Sequence, residues 1–209
     1  MFIQARMSSR RFPGKVLAPF RGRPVLSHVI ERAASVVGAD RVVVLTSELP
    51  SDDPIAAYCA PLAAVFRGAL EDVYSRYLDC LRAHPCGWFF RLTADSPLVN
   101  VEVMQAMLRH PRGQADLLTN TFRRSFPVGR SVELIRAEAF AAVDPAALTD
   151  HQREHVTQRL LASDPDRIVN FTCKYEGLAS TSVAIDTIDD LRRLEAIDVD
   201  DPAVVGALS

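Results

Sequence analysis

Arg41-Val-Val-Val-Leu-Thr46 is a short β-branched run bounded by Gly38 before it and Pro50 after it, the pattern of a strand buried on both faces. Upstream, Pro24 opens a stretch with Val25, Val29, Ile30 and Ala33 on one helical face, proline being suited to a first helical turn. Downstream, helical spacing resumes over Asp53–Ala63. The alternation then continues. Phe89-Phe-Arg-Leu-Thr93, Asp116-Leu-Leu-Thr119, Arg167-Ile-Val-Asn-Phe-Thr172 and Ser182-Val-Ala-Ile185 read as strands. Glu71–Ala83, Val101–Arg109, Arg136–Val143, His151–Ala162 and Ile188–Ile197 read as helices. The last has Thr187 as its N-cap and Asp189 and Asp190 in the first turn, the favourable end of the helix dipole. Such alternation predicts an α/β fold with a largely parallel sheet covered on both faces. Ligands of these sheets bind outside the carboxyl ends of the strands.

A chain of 209 residues is long enough for one sizeable core, and no repeat, low-complexity tract or linker divides it, so a single domain over 1–209 is expected. Its hydrophobic share of 48% and mean hydropathy of +0.06 argue against disorder and against a membrane protein. The longest apolar stretch, Ile55 to Phe66, is broken by Pro61 and too short to span a bilayer. Arg6, Arg10 and Arg11 interrupt any apolar opening segment, which makes the cytoplasm the expected compartment. A net charge of −2 gives no global case for binding nucleic acid. Cys59, Cys80, Cys86 and Cys173 lack paired zinc-type spacing and are expected to be reduced and structural. Only Met1, Phe2 and Ile3 precede the first loop, whereas a central strand usually needs about five or six residues. Either the first strand is very short or natural residues are missing from this start.

The first segment with chemistry in it is Gln4-Ala-Arg-Met-Ser-Ser-Arg-Arg-Phe-Pro-Gly-Lys15. A loop of small residues and four cations can wrap a triphosphate, with backbone N–H groups pointing inward and Arg and Lys neutralising the oxygens. The G-x-x-x-x-G-K-[ST] spacing of a P-loop is absent, and a solvated basic turn is the plainer alternative.

Gln-Ala-Arg-x-x-Ser-x-Arg-x-Pro-Gly-Lys resembles the signature of the CMP-sugar cytidylyltransferases. The likeness is greatest to the spore-coat-polysaccharide type, and more distant to CMP-deoxyoctulosonate and CMP-acylneuraminate synthetases. It continues in family order through Thr46-Ser-Glu-Leu-Pro-Ser-Asp-Asp-Pro-Ile55, Phe66-Arg-Gly68 with Glu71-Asp-Val73, and Arg91-Leu-Thr-Ala-Asp-Ser-Pro-Leu98. Pro127-x-Gly-x-x-Val-Glu133, Arg153-Glu-His-Val-Thr157 and Ile185-Asp-Thr-x-x-Asp-Leu191 complete it. The resemblance implies a three-layer, Rossmann-like fold of the nucleotide-diphospho-sugar-transferase kind. Residues 1–100 would mainly bind nucleotide and 101–209 mainly the acceptor.

The activity implied is Mg²⁺-dependent transfer of a cytidylyl group from CTP to a sugar acid or related polysaccharide precursor, by attack of an acceptor hydroxyl on the α-phosphorus and release of pyrophosphate. By the same resemblance, Arg6 and Lys15 hold the β- and γ-phosphates, with the backbone from Ala5 to Ser9 beside the nucleotide. Asp95 and Asp186 match the two aspartates that hold Mg²⁺, and two carboxylates suit a hard cation that also takes water and phosphate oxygens. Thr46, Ser47, Arg67 and Arg91 match segments lining the base and ribose side. Arg91 is equally suited to a structural ion pair. Glu133, Arg153 and His155 match acceptor-side motifs, whereas Arg123 and Arg124 match none and fit a solvated loop. No general base stands out. Pairing of two copies is also implied, with Leu117–Leu134 as the candidate segment.

Two other spellings have plainer explanations. His151-Gln-Arg-Glu-His155 fits the H-x-x-E-H pattern of one metallopeptidase class, but its last three residues belong to the Arg-Glu-His-Val-Thr block. Asp198-Val-Asp200 resembles a glycosyltransferase D-x-D motif near the tail, where a polar loop suffices. The chain also departs from the family pattern. Ala94 stands where a glycine usually precedes the metal aspartate, and Ser8 and Arg10 replace a glycine and a threonine. Asn100 replaces an aspartate, while Arg130 and Ser131 replace a leucine and an aspartate. The rival readings are a glycosyltransferase of related fold using a finished sugar nucleotide, and a non-catalytic nucleotide-binding partner in surface polysaccharide synthesis, which Ala94 favours.

Overall fold

Neighbouring residues along the strands part to opposite faces of one sheet. In the computed structural model, which describes residues 1–198 and 201–209, Ile3, Val44, Phe90, Leu118 and Leu134 enter one apolar cluster. Phe2, Val43, Leu45, Phe89, Leu117 and Ile135 enter a second on the other side. The strands are β1 (Phe2–Gln4), β2 (Pro19–Phe20), β3 (Arg23–Pro24), β4 (Val43–Ser47), β5 (Ala64–Gly68), β6 (Trp88–Thr93), β7 (Leu117–Thr119), β8 (Glu133–Arg136) and β9 (Ile168–Asn170). The helices are α1 (Val25–Val37), α2 (Asp53–Cys59), α3 (Val73–Ala83), α4 (Val101–Arg109), α5 (Ala137–Ala141), α6 (Asp150–Glu154), α7 (Gln158–Leu161), α8 (Ile188–Ala196) and α9 (Pro202–Val205).

Among the described residues the main sheet has seven strands in the order β5-β4-β1-β6-β8-β7-β9, with β2 and β3 pairing separately. β8 runs antiparallel to β6 and β7, and the other pairings in the main sheet are parallel. α1 and α4 cover the first face through Val29, Ile30, Met104 and Met107. α3 and α5 cover the second, where Tyr74 stacks on Phe140 at 4.4 Å between ring centres. The result is the expected three-layer, mostly parallel mixed α/β arrangement. β1 is three residues long yet central, and its ladders continue past its ends through Val43 N–H to Met1 O at 2.9 Å and Ala94 N–H to Gln4 O at 3.0 Å.

Several expected elements differ. Ser182–Ile185 is not a ladder strand; it makes a single bridge from Ser182 to Val128. It is held instead by Val183 N–H to Val128 O at 2.7 Å and Ile185 N–H to Asp95 O at 3.0 Å, which turn it across the strand ends. The helix expected over His151–Ala162 breaks into α6 and α7, because the chain turns at His155 to bury Val156 in the second cluster. The Asp53–Ala63 helix ends at Cys59, ahead of Pro61, which has no N–H to continue it. Pro24 is the N-cap of α1 rather than its first residue. β5 and β8 carry no isolated apolar run: β5 is half-buried at the sheet edge, and β8 is four residues flanked by charges. Thr187 caps α8 as expected, forming a capping box with Asp190. Cys59 and Cys80 are buried, and burial pushes the Cys59 thiol up to about 12, while Cys86 lies at the surface. Leu117, Leu118, Phe126, Val132 and Leu134 are buried within the chain's own core, leaving Val128 as the exposed apolar residue of that segment.

Two predictions follow from how the strand ends are tied. Gly129 has φ +92°, and a Cβ there would lie 2.4 Å from the Ala184 nitrogen. Gly129→Ala should therefore lower unfolding stability by roughly 2–4 kcal/mol in a denaturant titration, through strain and displacement of the 183–186 segment. Asp116 joins β7 to Arg167, whose Nη2 donates to it at 2.7 Å, with Arg136 3.5 Å away. The hydrogen bond from Arg167 holds its carboxyl below the usual range, outweighing burial. A depressed carboxyl pKa stabilises the fold above the unfolded value and loses that effect as pH falls through the folded value. Asp116→Asn should melt below wild type near neutral pH, with the two converging under acid below about pH 4.

Candidate active site

The basic loop leaves β1 and folds back on itself. Met7 O accepts from both Ser9 and Gly14 N–H at 2.9 Å, and Gly14 takes the left-handed conformation (φ +74°) that lets Lys15 start a 3-10 turn pointing back to the sheet. Asp52 fastens the loop from outside. It is fully buried, and it accepts from Met7 N–H at 2.7 Å and from Ser47 N–H and Oγ at 3.2 and 2.5 Å. Burial opposes its ionisation, but the hydrogen bonds from Ser47 and Met7 outweigh that and hold its carboxyl below the usual range.

Lys15 Nζ donates to Asp95 Oδ2 at 2.7 Å and to Asp186 Oδ1 at 2.9 Å, and Arg11 pairs with Asp186 Oδ2 at 2.9 Å. Asp95 follows the carboxyl end of β6. Asp186 sits at the foot of α8, where Asp190 accepts its backbone N–H at 3.2 Å. Burial disfavours the Asp186 carboxylate, but Lys15 and Arg11 outweigh it and keep its pKa below the ordinary range. Both aspartates remain partly open, with side chains 28% and 34% exposed.

These groups border a cavity of about 690 Å³ over the strand ends. Of the expected residues, Ala5, Arg6, Ser9, Lys15, Arg91, Asp95, His155 and Asp186 line it. The others do not. Thr46 and Ser47 are fully buried behind it. Arg67 turns away, donating to Ser47 O at 2.8 Å and Leu49 O at 3.0 Å and pairing with Asp53 at 2.7 Å. Glu133 is buried against Arg91 at 2.8 Å, which also donates to Gln4 Oε1 at 3.2 Å. Burial works against the Arg91 charge, but Glu133 more than offsets it. Arg153 binds Asp72, the N-cap of α3, and the Pro145 carbonyl. Burial, and next the His151 ring 4.5 Å away, push His155 below its ordinary pKa.

Several cavity residues carry little signal in the sequence. Arg11 counts among the four loop cations expected to meet phosphate, but nothing in its spacing marks its pairing with Asp186. Glu154, which pairs with Arg6 at 3.3 Å, stood inside a motif read for its neighbours. Arg76 carried no signal beyond an α3 pattern that buries Tyr77 beside it. Among the described residues no group of three or more His, Cys, Asp or Glu converges as a metal site, so the His151–His155 spelling assembles none. In the Asp198–Asp200 spelling, residues 199 and 200 lie outside the described residues.

The chain is similar to known proteins over most of its length. The spore coat polysaccharide biosynthesis protein SpsF of Bacillus subtilis (strain 168) is 32% identical over 161 residues, 74% of this chain and 66% of that protein. A 3-deoxy-manno-octulosonate cytidylyltransferase of Anaeromyxobacter sp. (strain Fw109-5) is 31% identical over 121 residues, 57% of this chain and 49% of its own length. The matches thus span about two thirds of the first relative and about half of the second. The solved structure of a cytidylyltransferase from Leptospira borgpetersenii serovar Hardjo-bovis (strain JB197) superimposes with a TM-score of 0.86 at 29% identity. That superposition covers 93% of this chain and 83% of that one. The cytidylyltransferase family model matches residues 1–176, from the basic loop past Asp95 and β9 and stopping short of Asp186. On that match the chain belongs to the cytidylyltransferase family.

Proposed function

We propose that this cytidylyltransferase moves a cytidylyl group from CTP to a sugar acid or related polysaccharide precursor, releasing pyrophosphate. The observation that carries the reading is the convergence of Asp95 and Asp186 on Lys15, the last cation of the basic loop, at a cavity the rest of that loop also lines. The acceptor class rests on the names of the relatives, one for a 3-deoxy-manno-octulosonate and one for spore coat polysaccharide. No helix of the described residues is long and apolar enough to cross a membrane, and we place the reaction in the cytoplasm, where CTP is available.

The donor set fits Mg²⁺. Two carboxylates that already reach one ammonium at 2.7 and 2.9 Å offer hard oxygens and leave other coordination positions to water and phosphate. When bound, Mg²⁺ would supply Lewis-acid neutralisation of the phosphate oxygens. Asp95 and Asp186 would hold it, which frees Lys15 to pair with phosphate.

In the reaction the acceptor hydroxyl attacks the α-phosphorus in line. A new O–P bond forms as the bond to the β-phosphate oxygen breaks, and charge gathers on the leaving pyrophosphate. Arg6, Arg11 and Lys15 meet that charge from a fixed loop, so little reorganisation is needed as it develops. His155 lines the same cavity, and its ring nitrogen takes the proton that the attacking hydroxyl loses. Arg91, fixed by Glu133 and Gln4, keeps the floor of the cavity rigid.

Pyrophosphate release from CTP and Mg²⁺ should appear with one member of a panel of sugar acids, phosphosugars and phosphonates, and not with UTP, ATP or GTP. Absence of both release and CTP binding would sink the proposal. Asp95→Asn and Asp186→Asn, checked for wild-type-like melting, should each lower kcat/KM for CTP by about 10²–10³-fold. Turnover at the wild-type rate in both would remove the aspartates from the mechanism.

A further inference from the structure

Asp52 stands at the N-cap of α2, yet its side chain accepts nothing from that helix. An aspartate in this place ordinarily takes an N–H two or three residues further on. Here both oxygens turn away from the helix. Oδ1 accepts from Met7 N–H at 2.7 Å, and Oδ2 accepts from Ser47 N–H at 3.2 Å and Ser47 Oγ at 2.5 Å. Ser47 Oγ takes Leu49 N–H at 3.3 Å, so its own proton goes to Asp52. The residue is fully buried, and burying a carboxylate is costly unless its oxygens are matched. A helix cap is thus given up for a bond to a loop 45 residues away.

Every residue from Gln4 to Arg11 lines the cavity except Met7. The Met7 side chain packs against the first apolar cluster, and its carbonyl takes Ser9 and Gly14 N–H at 2.9 Å. Its N–H is the group that Asp52 holds. The Met7 peptide is therefore the anchor of the loop, fixed on the side away from the cavity. A shift of that peptide moves Arg6 and the Ser8–Arg11 backbone together. The Thr46–Asp52 motif then has a role that the cavity lining does not show, because Ser47 and Asp52 are buried behind the lining. We infer that Asp52, with Ser47, is a positioning residue for phosphate: through Met7 it sets the loop groups that meet the pyrophosphate half of the nucleotide. The carboxylate is needed in its ionised form, since all its partners are donors. An amide offers one acceptor oxygen and would set its own NH₂ against the N–H of Met7 or of Ser47. This rests on the cytidylyl-transfer reading and names what holds its leaving-group site in shape.

The test measures calorimetric dissociation constants for pyrophosphate and CMP in the presence of Mg²⁺, with ligand-free melting temperatures, for wild type, Asp52→Asn and Ser47→Ala. Asp52→Asn should weaken pyrophosphate by roughly 10- to 100-fold and CMP by less than about threefold. Ser47→Ala keeps the Met7 bond and should fall between wild type and Asp52→Asn for pyrophosphate. A merely structural role would lower the melting temperature and weaken both ligands in parallel, and that result would overturn the assignment. Unchanged pyrophosphate affinity would overturn it too, as would selective loss of CMP, which would put Asp52 on the nucleoside side. If Asp52→Asn does not fold, Ser47→Ala decides alone, and wild-type pyrophosphate affinity in that variant overturns the assignment. Wild-type protein that binds both ligands but turns over no acceptor leaves the parent reaction in doubt, while the ratio of the two constants still decides Asp52. Wild-type protein that binds no pyrophosphate overturns both.

Discussion

Lys15 Nζ is where three distant parts of the chain meet. It reaches Asp95 after β6 and Asp186 before α8, residues 80 and 171 positions away. Like charges that close would repel, and the ammonium between them makes the approach favourable at Coulombic distances. The backbone supports the same junction: Ile185 N–H donates to Asp95 O, and Asp190 holds the Asp186 amide. Gly129 lets the 183–184 backbone pass at a distance no side chain would permit. Each of these contacts fixes the height and direction of one carboxylate over the sheet.

The sheet supplies the platform. β1 is short, but its register places Gln4 between Leu45 and Thr93, so the loop that follows leaves from the centre of the strand ends. Gln4 itself is held by Tyr77 and by Arg91, and Arg91 by Glu133 on the antiparallel β8. A side chain in the signature is thus braced through three elements. This is the usual arrangement by which a rigid scaffold positions loop residues precisely enough for chemistry.

Much of the fold could be read from the sequence because buried strands and amphipathic helices leave period-2 and period-3.6 traces. Phe89–Thr93 and Leu117–Thr119 stand out instead as short apolar runs, the mark of strands buried on both faces, while the face of α1 shows the helical period. β5 and β8 do neither, since one is a half-buried edge and the other is four residues long between charges. Ser182–Ile185 misled because an apolar extended segment looks the same whether it pairs along a ladder or crosses strand ends. At the site, sequence reasoning could name the loop and the two aspartates, which are marked by residue type and context. It could not tell which arginines face the cavity. Arg67 and Arg91 have similar sequence surroundings, yet one is consumed by carbonyls and the other lines the floor, a difference made by long-range contacts alone. Asp52 was invisible for the same reason: its role lies in a bond to Met7, 45 residues away.

The departures from the family pattern are absorbed by the fold in specific ways. Asn100 still caps α4, its side chain accepting from Val103 N–H at 3.1 Å, which an amide does about as well as a carboxylate. Ala94 borders the cavity beside Asp95 yet is only 2% exposed, packed with the first cluster. Arg130 is the larger change. Where a leucine would only pack, its guanidinium donates to Leu98 O at 2.5 Å and Gly206 O at 3.2 Å, and burial lowers its pKa to about 10. It therefore ties the turn after Asp95 to the C-terminal turn. Ser131 beside it accepts from Arg124 at 3.3 Å. Because Arg130 spends its charge on carbonyls outside the cavity, it alters the support behind Asp95 rather than the cavity lining. Glu154 and His155, on the turn where the expected helix breaks, do line that cavity, and Glu154 meets the basic loop there through Arg6.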